Sequence, residues 1–199
     1  MRFLFVLFLA LSSCAYTGVN VRAKYNQYDT PHVVGLTKGF VGGTGFFVSN
    51  KYVVTAAHVV QAAKSGTMDI VEYDINKEPR KASVVFLDPI NDVAILKDSD
   101  PSARKNILRM CNRETRKGDH VRAYGFLLWV IFQSHGVVDW NKMQHISHNA
   151  DLKTGYSGGP LMRGNCVVGV NKSGRDSHGL FYATDIGVVK SALKSLRSK

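Results

Sequence analysis

A serine in a glycine-rich loop is the residue of this chain whose surroundings most clearly suggest chemistry. Residues 154–160 read Thr-Gly-Tyr-Ser-Gly-Gly-Pro, and Ser157 is the serine. Glycine adopts backbone conformations that a Cβ disfavours and lets other segments approach closely. The loop can therefore direct the N–H groups of Gly155 and Ser157 into one space, as the tetrahedral intermediate of acyl transfer requires. A tight turn between two strands is the alternative interpretation.

Two further residues supply what such a serine needs. A hydroxyl is a weak nucleophile until an imidazole takes its proton, and the imidazole needs a carboxylate to fix its tautomer and stabilise its charged form. His58 follows a Thr-Ala-Ala run, and Asp92 lies where a polar turn enters an apolar segment. Alone, each is more often structural. With Ser157 they form a candidate set of general base, orienting carboxylate and nucleophile.

Length and composition favour a β-rich globular protein. The 199 residues can form one large or two small cores, and 45% of them are apolar. Glycine is abundant, with 18 residues, and long helical patterns are few. The net charge of +11 suggests attraction to anionic surfaces, but the basic residues are scattered and no basic-aromatic ladder occurs. A solvated basic surface is the preferred interpretation, and no nucleic-acid partner is expected.

The first residues have the pattern of an export signal. Arg2 precedes an apolar run that is too short to cross a bilayer as a helix, so residues 1–15 are assigned as a signal peptide. Residues 11–14, Leu-Ser-Ser-Cys, resemble the lipobox of bacterial lipoproteins, which predicts lipidation of Cys14. Conventional cleavage after Ala15 is the alternative. Residues 16–31 are polar and irregular and are assigned as a tether.

Short strands separated by turns dominate the rest of the chain. Alternating or β-branched segments predict strands at 33–36, 42–49, 52–55, 71–74, 81–87, 93–97, 118–126, 132–140, 146–152, 161–170 (as a hairpin) and 179–184. A short helical turn is expected at 56–60. Apolar residues spaced by three or four positions predict a C-terminal helix over 186–196. This many short strands points to a sandwich or barrel architecture.

Three blocks of this sequence resemble the signature blocks of chymotrypsin-fold (trypsin-like) serine proteases. They are Thr-Ala-Ala-His at 55–58, Asp-Val-Ala-Ile-Leu at 92–96 and Gly-Tyr-Ser-Gly-Gly-Pro at 155–160. Residues 43–46, 168–171 and 179–193 resemble neighbouring segments of the family, so the resemblance covers about 32–196. Because the three blocks occur in the family's order, the resemblance is specific.

The resemblance implies an all-β fold of two antiparallel six-stranded β-barrels with a C-terminal helix. It divides the chain into an N-terminal barrel at 32–106 and a C-terminal barrel with the terminal helix at 107–199. It assigns His58 as general base, Asp92 as its orienter and Ser157 as nucleophile. The oxyanion-hole donors would be the N–H groups of Gly155 and Ser157. The family uses no metal or cofactor in this reaction, and none is expected here.

One position departs from the digestive members of the family. They carry an aspartate directly before the serine, which pairs with a newly cut N-terminus during activation, whereas this chain has Tyr156 there. Tyrosine cannot form that ion pair, so activation by N-terminal cleavage is not expected. The chain is closer in style to exported bacterial proteases of the DegP/HtrA type, here without PDZ domains.

Substrate preference is left open by the sequence. Asp151 lies six residues before Ser157, the spacing of the pocket-base aspartate of trypsin-like members, which would select Lys or Arg before the scissile bond. The alternative pocket takes small apolar residues. Val170, Asn171 and Lys172 occupy the strand expected to line the cleft, where Lys172 could favour an acidic side chain or oppose a basic one.

The remaining cysteines and histidines suggest structural roles. Cys111 and Cys166 could form a disulfide in an oxidising compartment, although sequence does not show their separation. The histidines outside the three blocks lack metal-ligand spacing.

The sequence therefore predicts an exported serine endopeptidase in the bacterial cell envelope or, without the lipid, secreted. It would act on protein or peptide substrates and touch the membrane only through its lipid, and its oligomeric state is left open. A catalytically silent binding module of the same fold and an esterase are the alternatives.

Overall fold

The computed structural model describes residues 33–72, 78–101, 106–128 and 130–198. The signal peptide assigned to 1–15, the lipidation site at Cys14 and the tether at 16–31 lie outside these residues. No helix in the described part of the chain has the length and apolar character needed to cross a membrane.

The first half of the chain forms a closed barrel of six antiparallel strands in the order β1-β2-β3-β6-β5-β4. A short helix, α1, lies between β3 and β4. The elements are β1 (Val33–Lys38), β2 (Val41–Phe47), β3 (Tyr52–Thr55), α1 (Ala57–Ala62), β4 (Thr67–Val71), β5 (Arg80–Asp88) and β6 (Val93–Asp98).

The second half forms another closed six-stranded antiparallel barrel, in the order β10-β11-β12-β9-β8-β7. A helix, α2, follows its last strand. The elements are β7 (His120–Leu127), β8 (Val130–Lys142), β9 (His145–His148), β10 (Pro160–Arg163), β11 (Cys166–Arg175), β12 (Phe181–Asp185) and α2 (Ile186–Arg197). The expected fold class, two six-stranded barrels with a C-terminal helix, is confirmed.

An apolar core joins the two barrels. Tyr124 and Phe126 of β7 belong to one buried cluster with Val33 and Phe46 of the first barrel. Gly35 of β1 is needed at this contact, because a Cβ there would lie 2.6 Å from the ring of Phe126. Burial of this shared apolar surface fixes the barrels against each other, and with them the residues that each contributes to the cleft.

The terminal helix closes the second barrel, as its spacing predicted. Asp185 caps its N-terminus by accepting a 2.8 Å hydrogen bond from the N–H of Gly187. The helix buries Ile186, Val189, Ala192 and Leu193. Lys194 and Arg197 lie in its last turn, where positive charge interacts favourably with the helix dipole.

Several strand bounds differ from the sequence-based expectation, and the largest differences are at 71–74, at 132–140 and at 146–152, where β9 ends at His148. Of the strand expected at 71–74, residues 73 and 74 lie outside the described residues. The strand β4 is observed at Thr67–Val71, where Asp69 is outside the barrel core and pairs with Lys81 of β5. The strand expected at 132–140, with an interruption at Gly136, instead runs continuously over Val130–Lys142. A Cβ on Gly136 would lie 2.2 Å from the backbone nitrogen of Ala150, so this glycine serves a close approach of two segments.

Cys111 and Cys166 are joined by a disulfide, with their Cα atoms 5.0 Å apart. Cys111 lies in the connection between the barrels, and its N–H donates a 2.8 Å hydrogen bond to the carbonyl of Val167 in β11. The ammonium of Lys190 in α2 donates to the carbonyl of Cys111. The disulfide thus ties the connection to the start of the strand that leads to the cleft.

A buried histidine makes the stability of the second barrel pH-dependent. His148 of β9 is fully buried and stacks on Phe181, with ring centroids 6.4 Å apart. Burial lowers the pKa of His148 from 6.5 to about 4, partly opposed by the backbone of Ala150. Because the unfolded chain binds this proton below pH 6.5 and the folded chain does so only near pH 4, stability falls as the pH is lowered between these values.

We expect this titration to remove about 3 kcal/mol of unfolding free energy between pH 7 and pH 4. Urea unfolding at several pH values in this range measures the change in unfolding free energy. In His148→Phe the unfolding free energy should depend less on pH, because the ring that titrates is gone. His178→Gln, at a histidine that is 83% exposed, is the matched control. The test compares the slope of unfolding free energy against pH, because the substitution also changes packing and so shifts the free energy at every pH. The same slope in His148→Phe as in the wild type would contradict the prediction.

Candidate active site

His58 is positioned by the junction of β3 and α1. Thr55 ends the strand, Ala56 and Ala57 are fully buried, and His58 is the second residue of the helix. Because Ala56 and Ala57 have small side chains, this junction packs closely on the barrel and fixes the position from which the side chain of His58 extends. Its side chain is 38% exposed and lies at the protein surface.

Asp92 faces His58 from the turn between β5 and β6. Its Oδ1 accepts the backbone N–H of His58 at 2.9 Å. The Nδ1 of His58 lies 2.9 Å from Oδ2 and 3.0 Å from Oδ1 of Asp92. An ionised carboxylate can only accept hydrogen bonds, so Nδ1 carries the hydrogen and Nε2 keeps the lone pair. The predicted base and orienter therefore lie together, with the base in the tautomer that can accept a proton.

The turn that carries Asp92 is itself ordered by hydrogen bonds. The carboxylate of Asp88 accepts from the N–H groups of Ile90 and Asn91 at 3.0 and 3.1 Å and from the side-chain amide of Asn91 at 2.7 Å. The hydroxyl of Thr184 in β12 donates to the carbonyl of Asn91. Asp92 adopts a left-handed φ of 58°. The second barrel thus holds the turn that positions the carboxylate of the first.

The surroundings of Asp92 favour its ionised form. Burial of the carboxyl opposes ionisation, but the hydrogen bonds that it accepts from His58, together with the nearby charge of Lys172, outweigh it and hold the pKa of Asp92 below its usual range. Lys172 belongs to β11 of the second barrel. Asp92 therefore stays charged at neutral pH, and this hydrogen-bond arrangement is lost only in acid.

Ser157 lies in a loop held between the two barrels. Its carbonyl accepts the N–H of Thr44 in β2 at 2.8 Å. On the other side, the N–H of Gly158 donates to the carbonyl of Asn171 in β11 at 2.9 Å, and the N–H of Asn171 donates to the carbonyl of Gly159 at 2.8 Å. The loop is therefore bonded to one strand from each barrel.

Gly158 brings the serine loop against the segment that leads to His58. Its φ is +82°, and a Cβ there would lie 2.1 Å from the hydroxyl of Thr55 and 2.8 Å from the backbone nitrogen of Ala56. These residues immediately precede the helix that carries His58. The structure therefore places the serine loop in direct contact with the histidine segment, a contact that only glycine permits.

Gly155 has the left-handed φ of +94° that its type suggested. Its carbonyl accepts a hydrogen bond from the hydroxyl of Thr44, which in turn accepts the N–H of Phe126 at 2.7 Å. Within the described residues, the N–H groups of Gly155 and Ser157 donate no hydrogen bond to the backbone. The carbonyl groups of both residues are hydrogen-bonded to Thr44.

The residue before the serine is buried. Tyr156 is 4% exposed and packs in the core of the second barrel. A Cβ on Gly125 of β7 would lie 2.8 Å from its ring, so the tyrosine lies directly against that strand. An aromatic ring thus fills the position before Ser157 and anchors the loop by packing.

The expected pocket residues divide into exposed and buried groups. Asp151 has a 62% exposed side chain, 3.9 Å from the ammonium of Lys153, so it is not the buried carboxylate that a pocket base would be. Val170 and Asn171 are fully buried. The amide of Asn171 donates to the carbonyl of Tyr124 at 3.2 Å, which makes it a support of the serine loop.

Lys172 lies in β11, and its ammonium is near Asp88 and Asp92, at the two ends of the turn between β5 and β6, which we call the acidic turn. Its ammonium lies 3.2 Å from Nδ1 of His145 in β9. Burial lowers the pKa of Lys172, opposed by the charges of Asp92 and Asp88. Burial and the nearby charge of Lys172 also lower the pKa of His145. Sequence reasoning missed His145 and Thr44; only the glycine-flanked position of Thr44 hinted at its role.

No group of three or more His, Cys, Asp or Glu side chains in the described ranges could hold a metal ion. The arrangement of His58 and Asp92 beside the serine loop has the elements of proton transfer coupled to nucleophilic attack.

Known proteins support this interpretation. The two closed barrels are those of the chymotrypsin fold. The family model described as a trypsin-like peptidase domain matches residues 43–170, more than half of the chain. The chain therefore belongs to the trypsin-like peptidase family.

Solved structures give the same fold. A serine endoprotease from Yersinia pestis superposes with a TM-score of 0.72 at 21% identity, over 83% of this chain and 62% of that one. This chain thus spans less than two thirds of that relative. The Rv3671c protease in an inactive form has a TM-score of 0.67 at 26% identity, over 83% of this chain and 88% of that one.

A mutant of the same protein, from M. tuberculosis H37Rv, has a TM-score of 0.67 at 25% identity, over 85% of this chain and 88% of that one. No curated protein matches the sequence significantly.

Gly158→Ala should disrupt the contact between the serine loop and Thr55. Gly164→Ala is the matched control, because Gly164 also has a positive φ, of +54°, but nothing lies within 4 Å of its Cβ position. Both changes cost about 1 kcal/mol in backbone strain, and Gly158→Ala about 2 kcal/mol more through overlap. Thermal unfolding measures the stability of each variant, and a peptidase assay measures its activity. Equal stability and equal activity of the two variants would contradict the packing argument.

Proposed function

We propose that this protein is an exported serine endopeptidase that hydrolyses peptide bonds with Ser157 as nucleophile, His58 as general base and Asp92 as orienting carboxylate. The observation that carries the proposal is the double hydrogen bond of His58 to Asp92 beside the serine loop. That loop contacts the histidine segment at Gly158. Each of the three groups comes from a different connection, so the two barrels must pack correctly before the site can form.

In the first half of the reaction, the hydroxyl oxygen of Ser157 attacks the carbonyl carbon of the scissile bond. Its proton passes to Nε2 of His58, and the charge that develops on the imidazole is stabilised by Asp92. The carbonyl oxygen becomes an oxyanion, which accepts hydrogen bonds from the N–H groups of Gly155 and Ser157. Collapse of the intermediate breaks the C–N bond, and the leaving amine takes the proton from His58. The acyl group remains on Ser157.

Water completes the cycle. It gives a proton to Nε2 of His58 while its oxygen attacks the acyl carbon, and the second oxyanion uses the same two N–H donors. The ester bond then breaks, the proton returns to the oxygen of Ser157, and the carboxylic acid product leaves. The low pKa of Asp92 supports both halves, because a protonated carboxyl could not stabilise the imidazolium.

Activation without a new N-terminus follows from the residue before the serine. In place of an aspartate that would need a cationic partner, Tyr156 is buried by packing on Gly125. A loop anchored by an apolar ring requires no charged group from a cleaved chain end. We infer that the protease does not depend on N-terminal processing for the order of its serine loop.

The exposure of Asp151 weighs against a trypsin-like preference. A carboxylate that is 62% exposed gains little from a substrate cation, because water already solvates both charges. A pocket for small apolar residues is therefore the favoured alternative before the scissile bond. The ammonium of Lys172 is engaged with His145 and the acidic turn, so it would oppose a basic substrate residue nearby rather than recruit an acidic one.

Replacement of the nucleophile tests the proposal. Ser157→Ala should lower peptide cleavage by about a factor of 10⁶, since it removes the attacking atom. The assay is cleavage of a diverse peptide library by the exported domain, with the cut sites read by mass spectrometry. Ser198→Ala, at an exposed serine after the last helix, is the matched control and should keep full activity.

Cleavage that persists at the wild-type rate in Ser157→Ala would overturn the assignment. No cleavage by the wild type, with no labelling of Ser157 by a serine-directed phosphonate, would favour a binding module of the same fold. Cuts after Lys and Arg that are lost in Asp151→Asn would restore the basic preference. Cuts after small apolar residues would leave Asp151 without a role in the pocket.

Export and lipidation form a separate part of the proposal, supported by the sequence of residues 1–15. Cys14→Ser should move the protein from the membrane fraction to the soluble exported fraction, because the thiol that accepts the lipid is gone. Fractionation of a bacterial host expressing the full chain measures this. A mature N-terminus at Tyr16 in the wild type, without a lipid mass, would show conventional cleavage after Ala15 instead.

A further inference from the structure

The hairpin of β7 and β8 exposes several large apolar side chains at its closed end. Leu127 is 37% exposed, Val130 and Phe132 are each 41% exposed, and Leu128 in the turn is 76% exposed. Isolated exposed apolar residues are ordinary, but a contiguous group on one hairpin suggests a contact surface.

Three of these residues share one face of the hairpin. The register pairs Leu127 with Val130 and Gly125 with Phe132, and directly paired residues of antiparallel strands point to the same side. The residues between them, Phe126 and Ile131, point to the other side and are buried in the core between the barrels. We call Leu127, Val130 and Phe132 the apolar ledge.

The apolar ledge adjoins the loop of the proposed nucleophile. The Cβ of Leu127 lies 3.0 Å from the position that a Cβ on Gly155 would occupy. On the same face, Gly125 lies against the ring of Tyr156. The ledge thus adjoins the backbone of the proposed oxyanion hole through Leu127.

A peptide bound for cleavage must pass this surface. Its scissile carbonyl would lie about 3 Å from the nitrogen of Gly155 to accept the hydrogen bond. An extended chain advances about 3.3 Å per residue, so side chains one or two positions from the scissile bond come within about 7 Å of that point. Leu127 adjoins this point, because its Cβ lies 3.0 Å from the position that a Cβ on Gly155 would occupy, and Val130 is its cross-strand partner.

We propose that the apolar ledge binds an apolar side chain of the substrate that lies within two residues of the scissile bond, and so contributes to the selection of the cleavage site. This inference rests on the proposed protease function. Contact with the Gly155 loop favours a substrate peptide as the occupant over a membrane surface, because only a bound substrate is required to run past that loop.

The test begins with the library profile of the wild-type protein, which identifies a position within two residues of the cut that is enriched in Leu, Ile, Val or Phe. Two matched peptides, with Leu or Gly at that position, then give a ratio of kcat/KM values. In the double variant Val130→Thr/Phe132→Ser, we expect this ratio to fall about tenfold, as for the loss of a partly buried apolar contact. The conservative variant Phe132→Leu should keep most of the preference.

Met143→Ser is the matched control, since Met143 is 90% exposed in the turn between β8 and β9, away from the serine loop. Its Leu-to-Gly ratio should equal that of the wild type. Thermal unfolding of every variant is measured beside the kinetics, so that a lower ratio is interpreted only in folded protein.

Three outcomes separate the possibilities. A wild type that cleaves peptides but shows no apolar preference near the cut, or a double variant with an unchanged ratio, overturns the ledge proposal and leaves the protease function standing. A wild type that cleaves nothing overturns the protease function itself. An unchanged ratio together with lost binding to phosphatidylglycerol vesicles assigns the ledge to the membrane instead.

Discussion

The hydrogen bonds of one buried threonine join the parts of this molecule on which its proposed chemistry depends. Thr44 of β2 is fully buried, and its N–H donates to the carbonyl of Ser157 at 2.8 Å. Its hydroxyl bonds the carbonyl of Gly155 and the N–H of Phe126, and its carbonyl accepts the hydroxyl of Thr55 at 2.7 Å. One residue of the first barrel thus fixes the serine loop, the second barrel and the strand that ends just before His58. A buried hydrogen-bond network stabilises a structure only when every polar group in it has a partner. The partners of Thr44 are on three other segments, so those segments must lie close to β2.

The second link between the barrels is electrostatic and involves Asp92. The hydroxyl of Thr184 in β12 bonds the carbonyl of Asn91, and the charge of Lys172 in β11 helps to keep the carboxylate ionised. Both partners come from the C-terminal barrel, whereas Asp92 and His58 belong to the N-terminal one. The protonation state of the orienting carboxylate therefore depends on how the two barrels dock, in the same way as the position of the serine does.

Much of this arrangement follows from the sequence because its local signals agree with the fold. His58, Asp92 and the 155–160 block were found from residue type and order, and α2 from its apolar spacing. The strand at Thr67–Val71 was not predicted at these bounds, and the pairing of Asp69 with Lys81 that accompanies it is a property of the sheet rather than of the segment. The pocket role of Asp151 depended on burial, which a spacing of six residues does not determine. The role of Thr44 could not be predicted, since its partners are 111 and 82 positions away along the chain.

Tyr156 shows how packing can replace charge in ordering the serine loop. An aspartate before the serine would need a buried cation, and such a pair pays a desolvation cost unless its geometry is excellent. The buried aromatic ring has no such cost, and its contact with Gly125 ties the serine loop to β7. The same strand continues through Phe126, in the core between the barrels, to Leu127 at the end of the hairpin. The surface on which we propose that substrate packs therefore begins on the same strand as the contact that holds the serine loop.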